Sequence, residues 1–248
     1  VNRSVKIAIA VVVALVVVGG AGVFWFLRDD APPEVSLDAA VGSVADGSTT
    51  TTDAADDPSE PADGIAGTWT VDEDTATFDP DATTGTFAGF RIEEELATIG
   101  STTAVGRTGD VTGGITIEGT TVTEASFLVD LTTVVTNDSR RDDRVQSALD
   151  TAQFPTATFN LTEPIELDAA AATGAPVSVT AVGNLTIHGV TQQVEVTIEG
   201  QLVGGTVALV ASIPIVFADY GVTVPSAPIV VSVSDDGILE LQLLLTRT

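Results

Sequence analysis

Hydrophobic and polar residues alternate along most of this chain, most clearly from Gly183 to Val196, GNLTIHGVTQQVEV. Leu185 and Ile187 alternate with Thr186 and His188, and Val194 and Val196 alternate with Gln193 and Glu195. A period of two sends successive side chains to opposite faces, so each run predicts a strand with one buried face. The His188-Gly189 step between them predicts a hairpin turn, because glycine tolerates positive φ. The same texture predicts strands over Gly67–Asp72, Thr86–Ile92, Val111–Glu118, Val122–Val135 and Phe154–Phe159. It returns over Val177–Leu202, turns at Gly204-Gly205, and resumes over Thr206–Phe217, where Pro214 argues for an edge or a bulge. Ile229–Val233 and Ile238–Thr248 predict a last hairpin about Asp236-Gly237, with Leu239, Leu241, Leu243 and Leu245 on one face of the closing strand.

Three stretches break the alternation. Ser139–Asp150, SRRDDRVQSALD, places Val145, Ala148 and Leu149 at helical spacing, with Asp138 or Ser139 available as N-cap, and predicts one short helix. Thr162–Pro176, rich in alanine, reads as a loop. Ile7–Leu27 is a 21-residue run without charge, flanked by Arg3 and Lys6 on one side and Arg28, Asp29 and Asp30 on the other. About 20 apolar residues cross a bilayer as a helix. The charge asymmetry places the N-terminus in the cytoplasm, with Phe24-Trp25-Phe26 at the outer interface. A signal peptide has a shorter apolar core ending in small residues, so an uncleaved anchor is the preferred reading.

Composition adjusts this picture in several places. Asp29–Asp63 holds ten acidic residues and no Lys or Arg, which predicts a disordered linker with an r.m.s. span of roughly 30–35 Å. The expected layout is a tail over 1–6, an anchor over 7–27, the linker over 28–63 and one folded domain over 64–248. The whole chain of 248 residues carries a formal net charge of -26, which excludes nucleic-acid binding through clustered basic residues. With no cysteine there is no disulfide framework, thiolate chemistry or lipid-modified cysteine. Val1 fits a GTG start codon translated literally, which hints at a bacterial source. Abundant Thr and Val with few aromatics favour strands. Many long antiparallel strands with one helix fit a sandwich or an up-and-down barrel, and closure into a barrel removes exposed edges. Small residues crowd the strands, so such a barrel is expected to keep internal space.

Five segments carry a resemblance. They are GTWTVD at 67–72, the Arg-Arg-Asp lead-in to the helix at 140–142, FPTATF at 154–159, LTIHGVTQQV at 185–194 and FADYG at 217–221. In this order they resemble the YceI-like, polyisoprenoid-binding family from Gly64 to the end of the chain. The resemblance implies an all-β, lipocalin-like, eight-stranded antiparallel barrel whose cavity holds a long isoprenoid chain such as a quinone or polyprenyl carrier, and it implies no catalysis. The family often has an Asp-x-x-His-Ser motif after its first strand. No histidine stands there in this chain, whose one histidine is His188.

Candidate chemistry is sparse. A triad would have to use His188, a turn residue better suited to capping, and Glu93-Glu94-Glu95 reads as a solvated face. Asp79–Gly85 resembles the start of a calcium loop, but Phe90 stands where the bidentate Glu belongs, so a solvated turn is expected. No metal or cofactor is expected beyond a bound isoprenoid lipid. The Asn-x-Thr/Ser sequons at 137, 160 and 184 read as chance in a bacterial protein. Alternation and aromatic size nominate Phe87, Phe127, Phe159, Ile187 and Phe217 as cavity lining. Arg141 is either a surface ion-pair partner or a contact to an anionic or carbonyl head group at the barrel mouth. Three functions are weighed: a membrane-tethered, extracytoplasmic lipid-binding barrel, a structural or adhesive module of the cell envelope with a filled core, and a hydrolase of lipid-like substrates. The lipid-binding barrel is preferred.

Overall fold

The computed structural model describes residues 31–47, 64–97, 100–224 and 230–248. The predicted anchor at 7–27 lies outside the described residues, and among the described residues no helix is long and apolar enough to cross a membrane.

Helix α1 (Leu37–Gly47) comes first, followed by strands β1 (Gly67–Val71), β2 (Phe87–Leu96), β3 (Gly100–Thr108), β4 (Val111–Glu118) and β5 (Thr121–Asp130). Next come β6 (Val135–Thr136), helix α2 (Asp142–Ala148), β7 (Thr156–Leu161), β8 (Ile165–Glu166) and β9 (Val177–Ile187). The chain ends with β10 (Val190–Val203), β11 (Thr206–Val216), β12 (Val230–Val233) and β13 (Asp236–Arg247).

Eight strands close a ring in the order β1-β4-β5-β7-β9-β10-β11-β13, and β1 pairs back onto β13. Every pairing is antiparallel, as in an up-and-down barrel. Closure depends on two pairings far apart in sequence, Trp69↔Arg247 on one side of β1 and Trp69↔Ile115 on the other. The second half of β13 holds β1, while its first half pairs with β2 through Ile238↔Arg91 to Gln242↔Phe87. The sheet therefore forks at β13, and β2, β3 and β6 form a flap beside the ring.

The opening hairpin forms as the alternation predicts, from Val190↔Ile187 to Gly200↔Val177. Its turn residues, His188 (φ 53) and Gly189 (φ 74), are both left-handed, the conformation a tight two-residue hairpin requires. Pro214 sits beyond Ala211, the last residue of β11 paired to β10, so its missing N–H faces an open side.

Several expectations need correction. A second helix exists, because part of the predicted linker folds. Leu37, Ala40, Val41 and Val44 recur at i, i+3, i+4 and i+7, and this stripe packs onto Val203, Ala208, Val210 and Leu244 on the outside of the barrel. Ser36 Oγ accepts the Ala39 N–H at 3.3 Å, as an N-cap does. The acidic average over 28–63 concealed this short amphipathic run. Helix α2 begins later than predicted and has no side-chain cap, because Asp138 instead accepts the Arg140 N–H at 3.1 Å. The alanine-rich loop contains β8 and a 3-10 turn at Ala169–Thr173. The last hairpin does not form as predicted. β12 and β13 both pair with β2, through Val230↔Leu96 and Ile238↔Arg91, because β2 is long enough to hold them in succession. The long strand predicted over Val122–Val135 breaks at a 3-10 turn, Leu131–Thr133, capped by Asp130.

Candidate functional site: an apolar barrel interior

Inward-facing positions follow directly from register. On β9 they are Val177, Val179, Ala181, Leu185 and Ile187, with Gly183 between. On β13 they are Leu239, Leu241 and Leu243, and on β11 Val207, Leu209, Ala211 and Ile213. With β4, β5, β7 and β10, and with Ala88 and Phe90 from the flap, they enclose a cavity of about 210 Å³. That exceeds the roughly 150 Å³ that takes up a benzene-sized molecule and falls short of the roughly 300–1,000 Å³ of a drug-sized pocket.

The cavity offers almost no polar chemistry. Thr108 is bound to Thr133 through hydroxyls 2.7 Å apart, and Gln201 Nε2 donates to the Gly174 carbonyl at 3.0 Å. Glu240 contributes to the wall from the outward register of β13, and its carboxylate is bound by arginine on the outer face. One apolar cluster holds Ile65, Trp69 and Ala171. A second cluster packs Leu149 against Leu185, Ile187 and Tyr220.

Three of the six nominated side chains, Phe127, Phe159 and Ile187, line the cavity together. The other three lie elsewhere. Phe87 is fully buried on the outward face of β2, 6.2 Å from Phe78 by ring centroids and with the Arg107 guanidinium 4.5 Å from its centroid. FAGFRI carries phenylalanine in both parities, so alternation alone could not choose Phe90 over Phe87. Phe217 lies in the 3-10 turn Phe217–Tyr220, with its ring packed at Gly237. Arg141 donates to Glu94 at 2.6 Å and lies 4.0 Å from Asp138, so its charge is engaged by carboxylates. The Glu93-Glu94-Glu95 face is correspondingly less free than predicted, since Thr103 also donates to Glu93 at 3.1 Å. Sequence reasoning missed the β9 lining, although Val177, Val179 and Ala181 continue the parity of Leu185 and Ile187.

His188 latches the opening hairpin to its neighbour. Its Nδ1 donates to the Tyr220 carbonyl at 3.3 Å, and its ring meets Phe154 edge-on at 4.8 Å. Burial, with the Asp219 charge beside it, pushes the Tyr220 phenol above its ordinary value. Among the described residues no group of three or more His, Cys, Asp or Glu side chains could hold a metal ion. In the Asp79–Gly85 turn, the Asp79 carboxylate accepts the Asp81 N–H at 2.9 Å.

The outer wall beside the cavity has its own buried layer. Glu240 accepts from Arg107 at 2.9 Å, from Arg91 at 3.5 Å and from the Val35 N–H at 3.2 Å. The same arginines donate to the Pro33 and Pro32 carbonyls at 2.6 and 2.8 Å, and Arg107 also donates to Ala82 at 2.7 Å. This clamp holds residues 32–35 against the barrel just ahead of α1.

Among solved structures, a polyisoprenoid-binding domain from Saccharophagus degradans, implicated in plant cell wall breakdown, superposes with a TM-score of 0.51 at 20% identity. That match covers 66% of this chain and 94% of the other. Burkholderia cenocepacia BcnA gives 0.49 at 17% identity over 64% and 94% of the two chains. The YceI protein of Campylobacter jejuni gives 0.46 at 18% identity over 56% and 82%. Comparison with curated proteins yields no match. The profile of the YceI-like domain matches residues 69–245, well over half of the sequence, and the chain therefore belongs to the YceI-like family.

Proposed function

We propose that this protein is a non-enzymatic lipid-binding barrel that holds an isoprenoid chain, of the quinone or polyprenyl class, in its interior. The observation that carries the reading is the cavity, which is lined almost wholly by apolar side chains of the barrel strands. A filled structural module would leave no such space. Burying a chain of about ten carbons contributes about 8 kcal/mol at roughly 0.8 kcal/mol per methylene, before ordering costs. About 8 kcal/mol corresponds to a Kd of about 1 μM, and the ordering costs weaken the affinity from that value. The isoprenoid class comes from the family likeness and from the branched, water-insoluble character that such a lining suits.

We further propose that the barrel is tethered to the outer face of a cell membrane by the 7–27 segment, whose charge flanks and length support an anchor with a cytoplasmic N-terminus. The clamp on Pro32 and Pro33 supports a short tether, because only 28–31 separate the apolar run from the barrel wall.

The test is extraction. Protein purified from membranes is treated with organic solvent, and the extract is examined by mass spectrometry for prenyl lipids. A bound isoprenoid in stoichiometric amount supports the reading. Folded protein that comes off empty and takes up neither quinone nor polyprenol overturns it in favour of a structural module.

A further inference from the structure

The clamp fixes where the N-terminal segment meets the barrel wall. Pro32, Pro33 and Val35 are bound by Arg91, Arg107 and Glu240, and α1 then runs away from them toward Leu244 and Val203. Only residues 28–31 stand between the apolar run and Pro32, and the extended chain from Leu27 to Pro32 spans at most about 18 Å. Along β13, Asp236 is four residues from Glu240, or about 14 Å, whereas Arg247 is seven residues away, or about 24 Å. The attachment therefore lies nearer the barrel end that carries Asp236, Val216 and the His188-Gly189 turn. Exposed apolar side chains gather toward the same end. Among the described residues the large ones are Leu128, Val135, Val216, Val231 and Ile238, and none lies at the far end, where β10 turns into β11. Single exposed apolar residues are ordinary on a protein surface, but their placement away from one whole end is not random scatter. Ile238 pairs with Pro214 on one side and Arg91 on the other. Pro214, Val216 and Ile238 thus form an exposed, outward-facing corner beside the arginine that holds Pro32.

We propose that this corner is a bilayer-docking surface, with the head-group layer of the membrane as its occupant. The inference rests on the reading of 7–27 as a membrane anchor, and it names the face of the barrel that the anchor turns toward the lipid. A tether this short keeps the corner within reach of the head groups, where exposed apolar side chains leave water. Asp219, Asp235 and Asp236 are exposed at the same end, so uncharged head groups suit the corner and anionic ones repel it. The Ile187 and Leu239 part of the cavity lining lies at this end as well, so docking brings the cavity to the source of an apolar ligand.

The chain has no cysteine, so single-cysteine variants of the full chain each take one nitroxide label. Val216→Cys and Ile238→Cys report the corner, and Ser178→Cys and Thr248→Cys, both exposed positions, report the far end. In phosphatidylcholine nanodiscs, collisional accessibility is measured to oxygen, which concentrates in lipid, and to a nickel chelate, which stays in water. The oxygen-to-nickel ratio is expected to be higher at 216 and 238 than at 178 and 248, and to fall when phosphatidylglycerol is added to the disc. Val216→Asp with Ile238→Asp, read by a label in Val231→Cys, is expected to lose lipid contact while the protein stays with the disc. Equal ratios at 178, 216, 238 and 248, in protein that alkaline washing leaves on membranes, overturn the proposal and leave the anchor reading intact. Protein that alkaline washing removes overturns both. Spin–spin broadening at 216 in place of oxygen contact identifies a second copy of the chain as the occupant and likewise overturns the proposal.

Discussion

Glu240→Gln is the most demanding test of how the barrel wall is held together. The Glu240 side chain is 1% exposed and the Arg107 side chain 0%, so both charges have left water. Two buried charges are tolerable only while they neutralise each other and their hydrogen bonds are filled, and that condition is close to its limit here. Arg107 places Nη1 on Ala82 and Nη2 on Pro33 and Glu240, while its Nε–H has no hydrogen-bond partner. Glutamine keeps the volume and removes the charge. It leaves Arg107 buried beside carbonyl dipoles and the Phe87 ring with no counter-charge in contact, and it turns an amide N–H₂ toward either an arginine or the Val35 N–H. Breaking a buried pair from one side costs about 3–5 kcal/mol. Arg91, 11% exposed and 3.5 Å away, can be rehydrated, so the orphaned charge is that of Arg107. For a domain of this size about 2–4 °C accompanies each kcal/mol, so a fall in melting temperature of about 6–20 °C is expected. Thermal unfolding followed by near-ultraviolet circular dichroism of buried Trp69 measures it. Amide exchange at Val35 and Ala40 should accelerate in the same variant, because the clamp holds the segment that leads into α1. Glu240→Leu combined with Arg107→Met should recover most of the loss, since apolar replacement of a whole buried pair is often neutral. A shift corresponding to less than about 1 kcal/mol in Glu240→Gln, with exchange at Val35 unchanged, would refute the reasoning.

Three further outcomes follow from the geometry. Gly183→Ala puts a Cβ 2.4 Å from Phe159 Cζ and 2.7 Å from the Asn160 carbonyl oxygen, so it should destabilise by about 1–3 kcal/mol in chemical denaturation, with part of the loss relieved by Phe159→Leu. Tyr220, the one tyrosine, should titrate above the ordinary phenol value because of burial and then the Asp219 charge, and phenolate absorbance reads it without interference. Its folded value is raised, so its contribution to stability is complete below about pH 10 and is lost as pH rises through the folded value; a midpoint at or below that of free tyrosine would contradict the burial. The Arg140 hydrogen bond holds the Asp138 carboxyl below its ordinary value, so this carboxylate stabilises the lead-in to α2 above about pH 4 and ceases to do so as pH falls through its folded value. Carboxyl NMR should show that low midpoint, and Arg140→Ala should raise it.

Where one face of a strand is dry and the other wet, local sequence was sufficient. The opening hairpin, its His188-Gly189 turn and the leucine face of β13 could all be read from alternation, because each side chain's fate is set by its own position. Phe127, Phe159 and Ile187 were legible for the same reason. β3 was not. Its segment Ala104–Thr108 is buried on both faces, under the barrel on one side and under the 73–86 loop and residues 32–35 on the other, so no alternation survives. The same second layer drew Phe87 outward and buried Arg107, Glu240 and Gln242, which a one-sided pattern assigns to solvent. α1 was hidden by an acidic average that says little about a short apolar stripe. Three features belonged to tertiary structure alone: the closure of β1 onto β13, the fork that gives β13 two partners on one edge, and the meeting of Phe159 with Gly183. Each depends on residues distant in sequence becoming neighbours, and local propensity carries no information about which distant strand arrives.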